Sequence, residues 1–99
     1  MAHPIPADAG YVQRLRESFA RQQAMHTLGA VLDAVEPGRV VITMHHRPEL
    51  TQQHGFVHAG IVSTALDSAC GYAAFTLMPA DAAVLTVEFK VNLLAPARG

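Results

Sequence analysis

Charge is scarce in the middle of this chain. Between Thr51 and Ala80 there is a single ionised side chain of the Asp, Glu, Lys or Arg kind, Asp67. Over all 99 residues charged side chains make up 15% and the net charge is -1. That leaves no long-range field for nucleic acid, and no basic run or RNA-type aromatic motif occurs. One cysteine, Cys70, excludes an internal disulfide and makes a reducing, cytoplasmic compartment the expectation. The opening MAHPIPADAG lacks the basic and apolar blocks of a signal peptide. The apolar stretch 59–78 is long enough to span a bilayer. It lacks flanking Lys or Arg, however, and Asp67 at its centre would cost about 3 kcal/mol there, so no membrane span is expected.

What is present is hydrophobic: 51% of the residues, enough for one small globular domain over 1–99. Residues 1–7 form a Pro-containing tail. Asp8 is placed to cap a helix to about Gln23, with Tyr11, Val12, Leu15 and Phe19 on one side and Arg14, Arg16, Glu17 and Arg21 on a solvated face. From Thr27 the period changes to two. Leu28, Ala30, Leu32 and Ala34 alternate with their neighbours, Glu36-Pro37-Gly38 makes a tight turn, and Val40, Ile42 and Met44 alternate again. The pattern predicts a β-hairpin that Pro48 brings to an end. Later, Leu85, Val87, Phe89, Val91 and Leu93 alternate with Val84, Thr86, Glu88, Lys90 and Asn92, which predicts a half-buried strand of an antiparallel sheet.

Between hairpin and strand lies a helix predicted from Ala59 to Met78, closed by Pro79. Ile61, Val62, Ala65, Leu66, Ala69, Tyr72, Ala73 and Phe75 leave it no wide polar face, so it should be buried all round. Three strands at ~4.8 Å spacing span only about 14 Å, while a helix of ~10 Å diameter has a circumference of about 31 Å. The remaining half needs a partner chain, further strands, or both. A lone carboxylate in such a helix costs several kcal/mol unless it is paired or has a task.

The order helix, hairpin, apolar helix, alternating strand, with the pattern Q-x-x-G-x-x-H-A-G-x(6)-D, resembles the hotdog-fold acyl-CoA thioesterases, nearest the phenylacetic-acid-pathway (PaaI-like) branch. The resemblance rests on Gln52, Gly55, His58-Ala59-Gly60 and Asp67, then Thr86-Val87-Glu88 and Ala95-Pro96. It implies an α+β hotdog fold, a long central helix wrapped by an antiparallel sheet, with subunits paired side by side. It also implies about three more strands, so the C-terminal strands are expected to be missing here. By position, Asp67 matches the family's catalytic carboxylate, and His58 and Gln52 match the residues that orient substrate and water. Ala59 matches the residue whose N–H binds the thioester oxygen, and Thr86 a Ser/Thr near the site. The usual His-Gly-Gly is His-Ala-Gly here, which keeps the backbone N–H.

The residues support that chemistry independently. A helix start offers unsatisfied N–H groups and a positive dipole end to a developing oxyanion, and Ala59 and Gly60 are small enough to admit substrate. Apolar surroundings suit Asp67 to general-base work, and direct attack by its carboxylate is the open alternative. Ser63, Thr64, Asp67 and Ser68 form a polar stripe beside Gly60, so Gly60, Ser63 and Thr64 are candidate substrate contacts. Asp67 lies eight residues beyond Ala59, about 12 Å along a helix, while reacting groups must come within ~3–3.5 Å. Two antiparallel copies of the helix would solve this, so a homodimer or dimer of dimers with composite sites is expected. Neither a metal nor an organic cofactor is required. His54 and His58 have zinc-like i, i+4 spacing, but nothing completes a ligand set, and Cys70 reads as a packed core thiol. The fold's hydratases lack a match, since neither His-Phe-Pro nor Asp-x(4)-His occurs. The competing reading is a non-catalytic acyl-CoA-binding protein or an inactive truncated fragment.

Overall fold

The computed structural model describes residues 4–99; the first three positions of the expected tail, His3 among them, lie outside the described residues. Five regular elements follow in order: α1 (Tyr11–Arg21), α2 (Gln23–Leu28), β1 (Ala30–Glu36), β2 (Arg39–Met44) and α3 (Ala59–Phe75), with a 3-10 turn at Pro48–Leu50 before α3. The architecture is α+β, a long helix with a two-stranded antiparallel sheet.

The first helix begins two residues later than Asp8 alone would place it. Asp8 Oδ1 accepts the Gly10 N–H at 3.0 Å and the Asp8 carbonyl accepts that of Tyr11 at 3.3 Å, so Asp8 organises the turn that leads into α1. Where a single helix to Gln23 and then a strand from Thr27 were expected, the chain breaks at Gln22 (φ -82°, ψ 96°) and makes the short α2. The reason lies in burial. Leu15 packs in one apolar cluster with Tyr72 and Phe75, Met25 and Leu28 in a second with Ala30 and Leu50, and Phe19 touches both. One straight helix would carry Leu28 round to the side away from Leu15. Gly29, in the left-handed region at φ +66°, then ends α2 and delays the strand to Ala30.

The hairpin closes through Pro37-Gly38, with Gly38 at φ +73° as a type II turn requires at its second central position. Its alternation is interrupted. Leu32 pairs with Ile42 but Ala34 with Val41, so Asp33 is an extra, bulged residue whose carboxylate accepts the Thr43 hydroxyl at 2.9 Å. After the bulge the inward parity changes, and Val35 packs on the same cluster as Leu32. The turn is fastened to the end of α3: fully buried Thr76 accepts the Gly38 N–H at 2.8 Å and donates to the Ala73 carbonyl at 2.6 Å. Those bonds end the helix at Phe75, three residues before the expected Met78.

Arg14 departs from the solvated face expected of it. It pairs with Asp8 at 3.1 Å, donates to the Met78 carbonyl at 3.1 Å, and lies 4.1 Å above the Phe75 ring. The guanidinium therefore clamps α1 to the far end of α3.

The expected third strand does not form among the described residues. Residues 84–93 join no ladder; Leu85 is 90% and Val87 96% exposed. A strand is held by its neighbour's N–H and C=O groups, and neither β1 nor β2 supplies an edge to this segment. Instead it lies alongside α3, with Val84 against Gly71, Thr86 on Asp67, and the Ala97 carbonyl accepting the Val57 N–H at 2.9 Å. Correspondingly, α3 is not buried all round: only Tyr72 and Phe75 are fully packed, while Leu66 and Cys70 are exposed. Cys70 is thus no core thiol. No helix among the described residues is long and apolar enough to cross a membrane.

Candidate active site

The approach to α3 is built around Gln52. Its backbone N–H donates to the Phe56 carbonyl at 2.8 Å, and its side-chain oxygen accepts the N–H groups of His54 (2.6 Å) and Phe56 (3.3 Å). Gly55, at φ +85°, allows the chain to close this loop, which a single Thr51–Val57 bridge seals. Gln52 is therefore first a loop organiser. Its amide NH₂ is the part left to face the cleft it shares with His58 and Ala59.

His58 is the N-cap of α3. Its Nδ1 accepts the Gly60 N–H at 2.8 Å, so a neutral ring carries its proton on Nε2 and presents a donor away from the helix. The ring covers Gly60 so closely that a Cβ there would sit 3.1 Å from Nδ1. This alters one expectation. Of the two small residues at the helix start, Gly60 spends its N–H on His58, while Ala59, exposed at the first helical position, has no intrahelical acceptor for its own. That N–H, the His58 imidazole and the Gln52 amide face an open cleft of about 940 Å³ walled by Leu93 and Leu94.

Asp67 lies elsewhere. It is half-buried rather than enclosed by apolar side chains, and its Oδ1 accepts the Thr86 hydroxyl at 2.8 Å. Ser63 and Thr64 do not reach it: their hydroxyls donate to the Ala59 and Gly60 carbonyls one turn back, both at 2.8 Å. Asp67 and Thr86 line a second open cleft, of about 600 Å³, between α1 and α3. Within one chain, then, Gln52, His58 and Ala59 come together, Asp67 and Thr86 come together, and the two groups stand eight residues or about 12 Å apart along one helix. Among the described residues no cluster of three or more His, Cys, Asp or Glu is placed to hold a metal ion.

Sequence reasoning did not anticipate the polar wall of the Asp67 cleft. Ser68 Oγ donates to Gln22 Oε1 (2.7 Å), Gln22 Nε2 donates to the Tyr72 hydroxyl (3.1 Å), and Ser18 bonds that same hydroxyl (3.1 Å). The i, i+4 spacing of Ser18 and Gln22, and of Ser68 and Tyr72, was the available signal.

Residues 54–99 match the family model described as the thioesterase superfamily. Over 86 residues the chain is 33% identical to a Saccharolobus solfataricus protein named "putative esterase", covering 86% of this chain and 61% of that one. Over 98 residues it is 32% identical to a Halobacterium salinarum protein of the same description, covering 93% and 65%. The chain thus spans roughly 60% of the length of the curated relatives it matches. A crystal structure of a thioesterase family protein from Silicibacter pomeroyi superposes with a TM-score of 0.89 at 68% identity, over 91% of this chain and 66% of that one. With a family match beginning at the His54 loop and a solved relative tracing the same helix and hairpin, the chain belongs to the thioesterase superfamily.

Proposed function

We propose that the protein hydrolyses acyl-CoA thioesters as a hotdog-fold homodimer, each site combining the helix start of one protomer with Asp67 of the other. The supporting observation is the separation just described. The amide end and the carboxylate share one helix about 12 Å apart, on a side of α3 where Ala59, Leu66 and Cys70 remain exposed. A second α3 running antiparallel across that side brings each Asp67 to the other's Ala59 N–H. Wrapping of the paired helices by a larger antiparallel sheet belongs to the same reading.

In the proposed reaction the thioester carbonyl oxygen accepts the Ala59 N–H, with the helix dipole favouring the charge that develops on it. His58 Nε2–H and the Gln52 amide hold the thioester in place. Asp67 of the facing protomer, oriented by Thr86, takes a proton from a water as that water's oxygen bonds to the carbonyl carbon. The tetrahedral intermediate collapses, the C–S bond breaks, and the thiolate leaves to be protonated as free coenzyme A. A carboxylic acid is the second product.

The test is thiol release from a panel of acyl-CoAs. Asp67→Ala should lower turnover by about 10²–10⁴-fold, the usual worth of a positioned base. Mixing Asp67→Ala with His58→Ala protomers should restore activity that neither has alone, because one composite site is then intact. Binding without thiol release would point to an acyl-CoA-binding protein, and undiminished turnover in Asp67→Ala would remove the assigned base.

A further inference from the structure

The reaction above makes no use of the hydrogen-bonded wall beside Asp67. Three parts of the chain build it: Ser18 from α1, Gln22 from the break before α2, and Ser68 with Tyr72 from α3. Gln22 sits at its centre, half-buried and bonded on both sides, and it lines the same cleft as Asp67 and Thr86. A primary amide has two N–H groups and two lone pairs on its oxygen. After the bonds to Tyr72 and Ser68, Gln22 keeps one of each, and the three hydroxyl oxygens keep further acceptor sites. The wall therefore offers both a donor and an acceptor.

That combination discriminates between possible guests. A hydroxyl both donates and accepts, so it can join the wall without stranding any group. A carboxylate only accepts: it can pair with Arg21, which also lines the cleft, but it leaves the acceptor sites of the wall unmet and stands beside the Asp67 carboxylate. A plain alkyl chain satisfies nothing, though it could rest on Phe75, Val84 and Leu85, which supply the apolar part of the cleft. Position is set by the helix: Tyr72 lies five residues beyond Asp67, about 7.5 Å along the axis.

We propose that this cleft receives the acyl group and that Gln22, held between Ser68 and Tyr72, selects compact acyl groups bearing a hydroxyl a few bonds from the thioester carbon. Acyl selection of this kind presupposes the hydrolase proposed above. Sites built to bond a substrate hydroxyl reject analogues lacking it, strongly so when the rejection leaves buried groups unpaired. Here the wall groups also bond one another in an open cleft. The preference is correspondingly moderate, about 10–100-fold in kcat/KM.

The experiment compares matched acyl-CoA pairs, such as 3-hydroxybutanoyl- and 3-methylbutanoyl-CoA, with and without the hydroxyl. Thiol release is measured for the wild type, Gln22→Leu and Tyr72→Phe, and affinity for each pair is measured calorimetrically on Asp67→Asn. Expected is a wild-type preference for the hydroxylated member that shrinks about tenfold or more in Gln22→Leu and by a smaller factor in Tyr72→Phe, which keeps the ring packing should Gln22→Leu fold poorly. A purely structural tether would lower both members together and leave the ratio unchanged, which overturns the proposal. So does a wild-type ratio near one. If no acyl-CoA releases thiol, the hydrolase reading fails by itself, and equal affinities within each pair then overturn the selectivity as well.

Discussion

The two ends of α3 differ in nearly every physical respect. At the C-terminal end Tyr72 and Phe75 are buried against Leu15, their rings 5.9 Å apart and nearly perpendicular, with Arg14 laid over Phe75 and the hairpin bonded to Thr76. At the N-terminal end Ala59 and Gly60 are exposed, the only side-chain cap is His58, and a loop held by one glutamine leads in. One end has spent its apolar surface on the fold. The other keeps free the Ala59 N–H and the Nε2 edge of the His58 ring, as the proposed site requires.

The contrast is easiest to break at the packed end. Leu15, fully buried in the cluster that grips Tyr72 and Phe75, should cost about 2–5 kcal/mol when changed to Ala, read as a fall in urea midpoint at constant slope. Near Asp67 the prediction concerns rate. Thr86→Val removes the one hydroxyl donated to that carboxylate, and kcat should fall about tenfold while the urea midpoint barely moves, as suits a single charged hydrogen bond at an exposed residue.

How much of this contrast could be read from the sequence follows from which interactions are periodic. The hairpin, its Pro37-Gly38 turn and the start of α3 at Ala59 follow from period and turn chemistry, and the structure has them. The break at Gln22 was hidden because α1 and α2 form an almost continuous helical pattern; only the existence of two apolar clusters divides them. Residues 84–93 show the opposite failure. Their alternation is clear, yet alternation specifies a face and not a partner, and no edge among the described residues receives them. For the proposed site, the spacing from Gln52 to Asp67 singles out the candidate residues, whereas the bonds around them could not be inferred. Those bonds were Thr86 on Asp67, His58 on Gly60, and the Gln22 wall.

Two smaller effects sharpen the comparison. His58→Ala should lose about 1 kcal/mol of stability with its cap, and His58→Asn should recover much of that without recovering turnover, which separates the capping bond from the imidazole's part in the site. At the opposite end, the Gly10 N–H and then Arg14 hold the Asp8 carboxyl below its ordinary value of 3.8. Because the folded value is the lower one, this stabilisation is present above pH 3.8 and fades as pH falls through the folded value. Urea midpoints of wild type and Asp8→Asn should therefore differ slightly at neutral pH and converge in strong acid.

Thr76 has a mechanical consequence. Its hydroxyl receives the Gly38 N–H while giving its own proton to the Ala73 carbonyl, which bonds sheet and helix directly at that point. The tip of the hairpin and the tail of the rod are thereby riveted together. Any sliding or tilting of the rod must swing the hairpin with it, so strain applied at the bare end would be felt first in the ribbon at the far one.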